Sequence, residues 1–159
     1  MDEKIKKETV PVKKETKNVS KEKTTKDHSA KAFSYNLSVS TKQCVEICSF
    51  VRGKNLEKAR GLLNLVLEKK IAVPFKRYNK DMPHRRGKVA SGRYPIKSIK
   101  EVLNVLNTAQ SNAENKGLDS KNLVIKLIKA NKGTKNFHPG RKRRRLMKNT
   151  NIEVELEEK

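Results

Sequence analysis

Acidic residues are scarce in this chain. Seventeen Asp and Glu stand against 39 Lys and Arg over 159 residues, a formal charge of +22. Tryptophan is absent, aromatics reach only 4% and apolar residues 34%, with a mean hydropathy of −0.85. A core so thin argues against a large enzyme with a deep catalytic cleft. No apolar run approaches the roughly 20 residues of a membrane-spanning helix. Met1 to Lys7 is charged with no apolar stretch behind it, so neither a span nor a secretion signal is expected. The two cysteines, Cys44 and Cys48, are too few for a disulfide framework and fit a reducing cytoplasm. Four residues apart, they sit one turn apart on a helix and read as buried small hydrophobes. No nearby His or Cys completes a metal site, no glycine-rich phosphate loop precedes a helix, and carboxylates are not paired. No metal and no cofactor are expected.

What is present suffices for one domain. Leu, Ile, Val and Phe total 38 of 159 residues, above the roughly 20% typical of disordered chains. The positive charge runs in two stripes. Eleven Lys or Arg and no acid lie between Ser120 and Ile152, and eleven against the single Asp81 lie between Lys69 and Lys100. Solvated surface usually mixes the two signs, and self-repulsion on this scale needs a counter-charge. Neither stripe has the Trp- or Phe-bearing apolar face of a membrane-surface helix. A nucleic acid is the expected partner, and a membrane is not.

Residues 1–29 carry nine Lys and six acids, and beyond Met1 only four apolar side chains, Ile5, Val10, Val12 and Val19, the composition of a disordered extension. It suits either loose phosphate contact or simple solubilisation. From Ala30 to Val39, Phe33, Tyr35, Leu37 and Val39 alternate with Ser34, Asn36 and Ser38, which predicts a strand with that apolar set inside. Ser40 or Thr41 caps a helix bearing Cys44, Val45, Ile47, Cys48 and Val51 on one face and ending at Gly53. Asn55 caps a second, with Leu56, Ala59, Leu62, Leu63, Val66 and Leu67 at helical spacing to near Lys70. Val73-Pro74 breaks the pattern, and residues 71–94 read as a long basic loop. Pro95 opens a third helix through Ile96, Ile99, Val102, Leu103, Leu106, Ala109 and Ala113 to Gly117. Asn122 to Ala130 and Asn149 to Glu157 read as strands, the latter with Ile152, Val154 and Leu156 inside. Residues 131–149 between them are basic and nearly devoid of apolar side chains. Two extended limbs of about nine residues reach about 30 Å, beyond the body of a small domain.

In Pro74-Phe-Lys-Arg-Tyr-Asn-Lys-Asp-Met-Pro-His-Arg-Arg-Gly87, cations alternate with rings and an amide. That mixture suits folded RNA: cations neutralise phosphates, planar groups stack on unpaired bases, and Asn or His reach 2′-hydroxyls. Phe75 reads as core, Tyr78 as either core or base-stacking, and His84 as an RNA contact. The loop candidates are Lys76, Arg77, Tyr78, Asn79, His84, Arg85, Arg86, Lys88 and Arg93. Those of the arm are Lys132, Lys135, His138, Arg141, Lys142, Arg143, Arg144, Arg145 and Lys148. The run Arg141 to Arg145 could alternatively be a nuclear targeting signal. As an inserted arm it is ordered by the phosphates that cancel its self-repulsion. Two rival readings are a chromatin-like DNA-binding protein and an RNA-cleaving enzyme built on His84 and His138.

The segments Val73-Pro-Phe-Lys-Arg-Tyr-Asn79, His84-Arg-Arg-Gly87, Gly92-Arg-Tyr-Pro95 and Asn112-Ala-Glu-Asn-Lys-Gly-Leu-Asp119, in this order, resemble a universal large-subunit ribosomal protein family. It is family twenty-two in bacterial naming and seventeen in older eukaryotic naming, and the likeness is to its archaeal and eukaryotic branch. Arg52-Gly-Lys54 before an amphipathic helix agrees, and the likeness covers roughly residues 30–159. The resemblance implies an α+β body, three helices packed on a small three-stranded antiparallel sheet, with a long protruding basic β-hairpin. It also implies a non-enzymatic, cytoplasmic constituent of the large subunit that binds rRNA and supports assembly. Its hairpin helps line the nascent-peptide exit tunnel. The implied partners are large-subunit rRNA, neighbouring ribosomal proteins and the nascent chain near the hairpin tip. The tip departs from the family: Phe137-His-Pro-Gly-Arg-Lys-Arg-Arg-Arg145 stands where members commonly carry an Arg-Pro-Arg-Ala-x-Gly-Arg-like stretch. Only the general region of His138 to Arg145 is therefore carried over.

Overall fold

A computed structural model describes residues 28–86 and 89–159. The expected disordered extension, save its last two residues, and the candidate Lys88 lie outside the described residues. Three helices form where the apolar spacing places them: α1 (Thr41–Val51), α2 (Leu56–Leu67) and α3 (Ile96–Asn115). Cys44, Ile47, Cys48 and Val51 of α1 are buried, as are Leu56, Ala59, Leu63 and Val66 of α2. Asn55 caps α2 as expected, its side-chain oxygen accepting from the Glu57 N–H at 2.9 Å. Helix α2 stops three residues before Lys70 because Lys69 turns left-handed, at φ 61°. Ser40 occupies the cap of α1 without a side-chain bond, and Pro95 sits at the cap of α3 rather than inside it. No helix among the described residues is long and apolar enough to cross a membrane.

Three strands, β1 (Ser29–Leu37), β4 (Leu123–Lys132) and β5 (Thr150–Glu158), form an antiparallel sheet in the order β1-β5-β4. The α+β class with three helices on a three-stranded sheet is thus present. In β5 the expected alternation holds, with Ile152, Val154 and Leu156 buried. In the first part of β1 the expected face is inverted. Ala30 and Ala32 point into the core, while Phe33 and Tyr35 are 51% and 71% exposed. Ala30 pairs with Leu156 and Ala32 with Val154, and α3 packs directly on this strand. Between large β5 residues and a helix there is room only for alanine. A run of constant register shares one alternation, so Phe33 and Tyr35 turn outward. Past the irregularity between Ser34 and Leu37 the register shifts, and there Leu37 packs against the core and Val39 is buried as expected.

The stretch expected as an unbroken loop contains two short strands, β2 (Val73–Pro74) and β3 (Gly92–Arg93), paired antiparallel. They close the basic segment at its base. The regular β4–β5 ladder ends at the Lys132–Thr150 pair. Beyond it the two limbs meet at a Phe137–Leu146 bridge and a short helical turn, Gly140–Lys142. Backbone bonds join Met147 N–H to Asn136 C=O at 2.7 Å and His138 N–H to Arg145 C=O at 2.9 Å. The arm is therefore pinned at points rather than built as a continuous ladder.

Both cysteines are free and buried. Burial pushes the Cys44 thiol from 9.0 up to about 11 and the Cys48 thiol up to about 12. An unfolded chain sheds these protons above its ordinary thiol pKa while the folded chain keeps them. The associated stability is complete below pH 9 and is lost as pH rises through the folded values. A thiol reagent at pH 8 is expected to find no fast-reacting thiol in the native chain and two after denaturation. A fast native thiol contradicts the buried placement.

Candidate nucleic-acid interface

The basic loop is built around one carboxylate. Glu46, 1% exposed on the inner side of α1, accepts three consecutive backbone N–H groups: Lys76 at 3.1 Å, Arg77 at 2.9 Å and Tyr78 at 2.8 Å. Hydrogen bonds to an ionisable acceptor in a buried setting are among the stronger ones. Phe75, just before them, is buried in the core as expected. The Phe75 N–H bonds the Ser91 carbonyl at 3.0 Å, and the Ser91 hydroxyl returns to the Phe75 carbonyl at 3.0 Å. With the backbone held from beneath, the Lys76 and Arg77 side chains project into solvent. Tyr78 is half-buried against the core edge. The Lys42 ammonium and the Arg77 guanidinium lie 5.5 and 5.7 Å from its ring centre, within cation–π range.

His84, Arg85 and Arg86 line an open cleft of about 600 Å³ with Lys70, Val89 and Tyr94. Arg85 is tied to the loop itself. Its Nε donates to the Gly92 carbonyl at 3.1 Å and its guanidinium lies 5.1 Å from the Tyr94 ring centre. It fixes the shape of the cleft while His84 and Arg86 remain exposed.

A second cleft of about 400 Å³ unites the loop with the arm: Arg77, Tyr78, Asn79 and Arg93 line it together with Lys42 and Lys148. Beside it, Lys132, Lys135 and Lys148 line a third of about 270 Å³ with Ser40, Thr41 and Lys42. Lys42 and Lys148 belong to both. The two basic stripes, far apart in sequence, thus converge at the start of α1, whose first turn holds no acid. Unpaired N–H groups and the helix dipole add positive potential there. The farther cations, Arg141 to Arg145, line a shallow depression of their own, and His138 sits on the arm, away from His84.

The arm is riveted at its root. Asn36, in the β1 bulge at φ 52°, donates its N–H to Asn151 Oδ1 at 2.8 Å and accepts the Thr134 N–H at 2.9 Å. A Cβ at Gly133 would stand 2.7 Å from Asn36 Oδ1, so a larger residue there pushes that oxygen off the Thr134 N–H. Glu46 and Lys42 are not among the expected site residues, and Ser40 is expected only as a helix cap. A glutamate bound by backbone amides leaves no partner pattern in the sequence. Lys42 carried a faint signal, a cation in the first helical turn where acids are favoured.

Chemically the arrangement is a set of open basic clefts with hydrogen-bonding groups and a ring at their edges. Asp81 is the one carboxylate lining the first two clefts, while Lys76 lines a smaller one with Glu46. Among the described residues no three His, Cys, Asp or Glu cluster as metal ligands. Such clefts take phosphates and planar bases rather than a compact organic substrate.

Residues 32–157 match the family model described as ribosomal protein L22p/L17e. The chain is 53% identical over 106 residues to the large ribosomal subunit protein uL22 of Archaeoglobus fulgidus, covering 65% of this chain and 68% of that one. It is 45% identical over 136 residues to the protein of the same name in Methanococcus vannielii, covering 81% and 89%. The Nanoarchaeum equitans protein is 39% identical over 136 residues, covering 81% and 78%.

Replacing Glu46 by Ala leaves three loop amides without their acceptor. The expected cost is about 2 to 4 kcal/mol, with hydrogen exchange at Lys76, Arg77 and Tyr78 accelerated beyond the global loss of stability. Glu46→Gln, which keeps one carbonyl oxygen, is expected to restore part of that protection. Unchanged exchange at these amides in Glu46→Ala contradicts the anchoring role.

Proposed function

The chain belongs to the ribosomal protein L22p/L17e family, and from that premise we propose that it is a structural constituent of the large ribosomal subunit that binds large-subunit rRNA. It is a ribosomal protein, not an enzyme. The observation that carries the rRNA reading is the convergence of loop and arm cations on the clefts shared by Lys42 and Lys148. A folded RNA brings several phosphate chains close together, and two preset groups of cations at one junction match that better than a single strand.

In this reading residues 30–159 act as one rRNA-binding domain. Lys76, Arg77, Tyr78, Asn79, His84, Arg86, Lys88 and Arg93 contact rRNA, with Arg85 shaping their cleft. Lys132, Lys135 and Lys148 hold phosphates at the arm root. His138 and Arg141 to Arg145 carry the arm between RNA segments, where their charge is neutralised and counterions are released. There residues 131–149 take the form of a long hairpin whose tip helps line the nascent-peptide exit tunnel. What supports this is the arm's composition, basic and without a core of its own, together with the family resemblance. Residues 1–29 are assigned no contact: their composition suits either loose phosphate contact or simple solubilisation.

Sedimentation of cell extract on sucrose gradients at moderate and then high salt tests the reading. Co-migration with the large subunit through the salt wash is expected, and release into light fractions contradicts it. Removal of residues 133–147 is expected to leave the body folded and to lower incorporation into mature subunits at least about tenfold in competition with the full chain, a loss in line with several lost phosphate contacts. Equal incorporation refutes the arm's role.

A further inference from the structure

The outer face of the sheet differs from the rest of the surface. Helices cover the inner face, while the outer one bears Phe33 and Tyr35 from β1, stacked with ring centres 6.5 Å apart and planes 9° from parallel. Next to them β5 presents Glu153, Glu155 and Glu157. Lysines from the flanking strands meet these acids: Lys31 to Glu155 at 3.7 Å, Lys129 to Glu153 at 4.0 Å and Lys126 to Glu157 at 3.0 Å. Three against three cancel, on a chain of charge +22.

We propose that this face, centred on Phe33, Tyr35, Glu153 and Glu155, is the docking surface for an arginine- or lysine-bearing segment of a second protein of the large subunit. The proposal rests on the large-subunit reading above. Phe33 pairs directly with Glu153, so a phosphate brought to that ring meets a carboxylate, which disfavours RNA. A second copy of this chain brings another large positive charge. A guanidinium, by contrast, stacks on an exposed ring and forks onto a neighbouring carboxylate with the same planar group. The Lys31 and Lys129 pairs are long, at 3.7 and 4.0 Å, and their lysines are about half exposed, so an incoming arginine can displace those ammonium groups. Paired aromatics at the centre with a charged rim are the composition of protein interfaces. Docking here is by side chains rather than by strand addition along β1. Asn112 of α3 already donates to the Lys31 carbonyl at 2.8 Å, and Lys116, just after α3, to that of Ser29 at 2.8 Å, capping the start of that edge.

The test places the photocrosslinker p-benzoylphenylalanine at position 35, and separately at position 33, in the full chain expressed in cells. Large subunits are purified on a gradient, irradiated and digested, and the crosslinked product is identified. The expected product from both positions is one and the same subunit protein, attached at a segment containing Arg or Lys. Glu153→Lys combined with Glu155→Lys is expected to lower its yield at least about fivefold, as like charges replace complementary ones, with co-sedimentation retained. Crosslinks to rRNA, or none in chains that do co-sediment, overturn the docking face and leave the large-subunit reading standing. Absence of the unsubstituted chain from the subunit fraction overturns that reading and the docking face with it.

Discussion

One buried carboxylate organises the functional half of this molecule. Glu46 gathers three successive amides of the loop, and everything the loop presents follows from where those amides are held. The loop is a run of cations that repel one another, and an isolated segment of this kind has no reason to keep one shape. A negative group set beneath its backbone supplies both hydrogen bonds and counter-charge. The pairing of β2 with β3 closes the loop at its base, and Phe75 plugs it into the core. Held at three levels, the loop would meet the proposed rRNA with much of the ordering cost already met by folding.

The arm follows the opposite principle. Its root is fixed by Asn36, Gly133 and the Asn149–Thr134 contact, where Asn149 Nδ2 donates to the Thr134 carbonyl at 3.0 Å. Farther out only a bridge and a short turn join the limbs, and no buried side chain anchors them. Phe137 is 63% exposed and Leu146 47%. In the proposed rRNA-binding role, the preset loop orients the body and the sparsely pinned arm conforms to the channel its partner offers. Both start from the same corner of α1, so placement of the body also aims the arm.

Much of this was legible in the sequence where periodicity is strong. The spacing of apolar residues located all three helices, Asn55 announced its cap, and the alternation around Val154 gave the inner face of β5. Periodicity failed in the first part of β1, where Phe33 and Tyr35 fall on the solvent side, and it held for Leu37 and Val39 only because the register shifts between Ser34 and Leu37. Which face of a strand turns inward is decided by its neighbours, here Leu156, Val154 and the close approach of α3, and those are tertiary facts. The same is true of Glu46. On the sequence it is an acid in an amphipathic helix, and only the fold brings the loop amides to it. The convergence of Lys42 with Lys148 joins positions over a hundred residues apart, which no local window contains. Three of the four segments that carry the family resemblance did locate the basic loop and its flanks, where β2 and β3 close it, while the fourth, Asn112 to Asp119, marks the end of α3.

The central claim is that a preset loop and its adjoining arm recognise folded rRNA, beyond the general attraction of a polycation for a polyanion. Competition at one fixed salt concentration tests it directly. A labelled large-subunit rRNA fragment bound to the full chain is challenged with either the same RNA unlabelled or duplex DNA of equal phosphate content. The account predicts that the RNA displaces at least about tenfold more effectively, since shape and 2′-hydroxyl contacts add to the shared phosphate contribution. Equal displacement by duplex DNA contradicts it and leaves charge alone as the basis of binding.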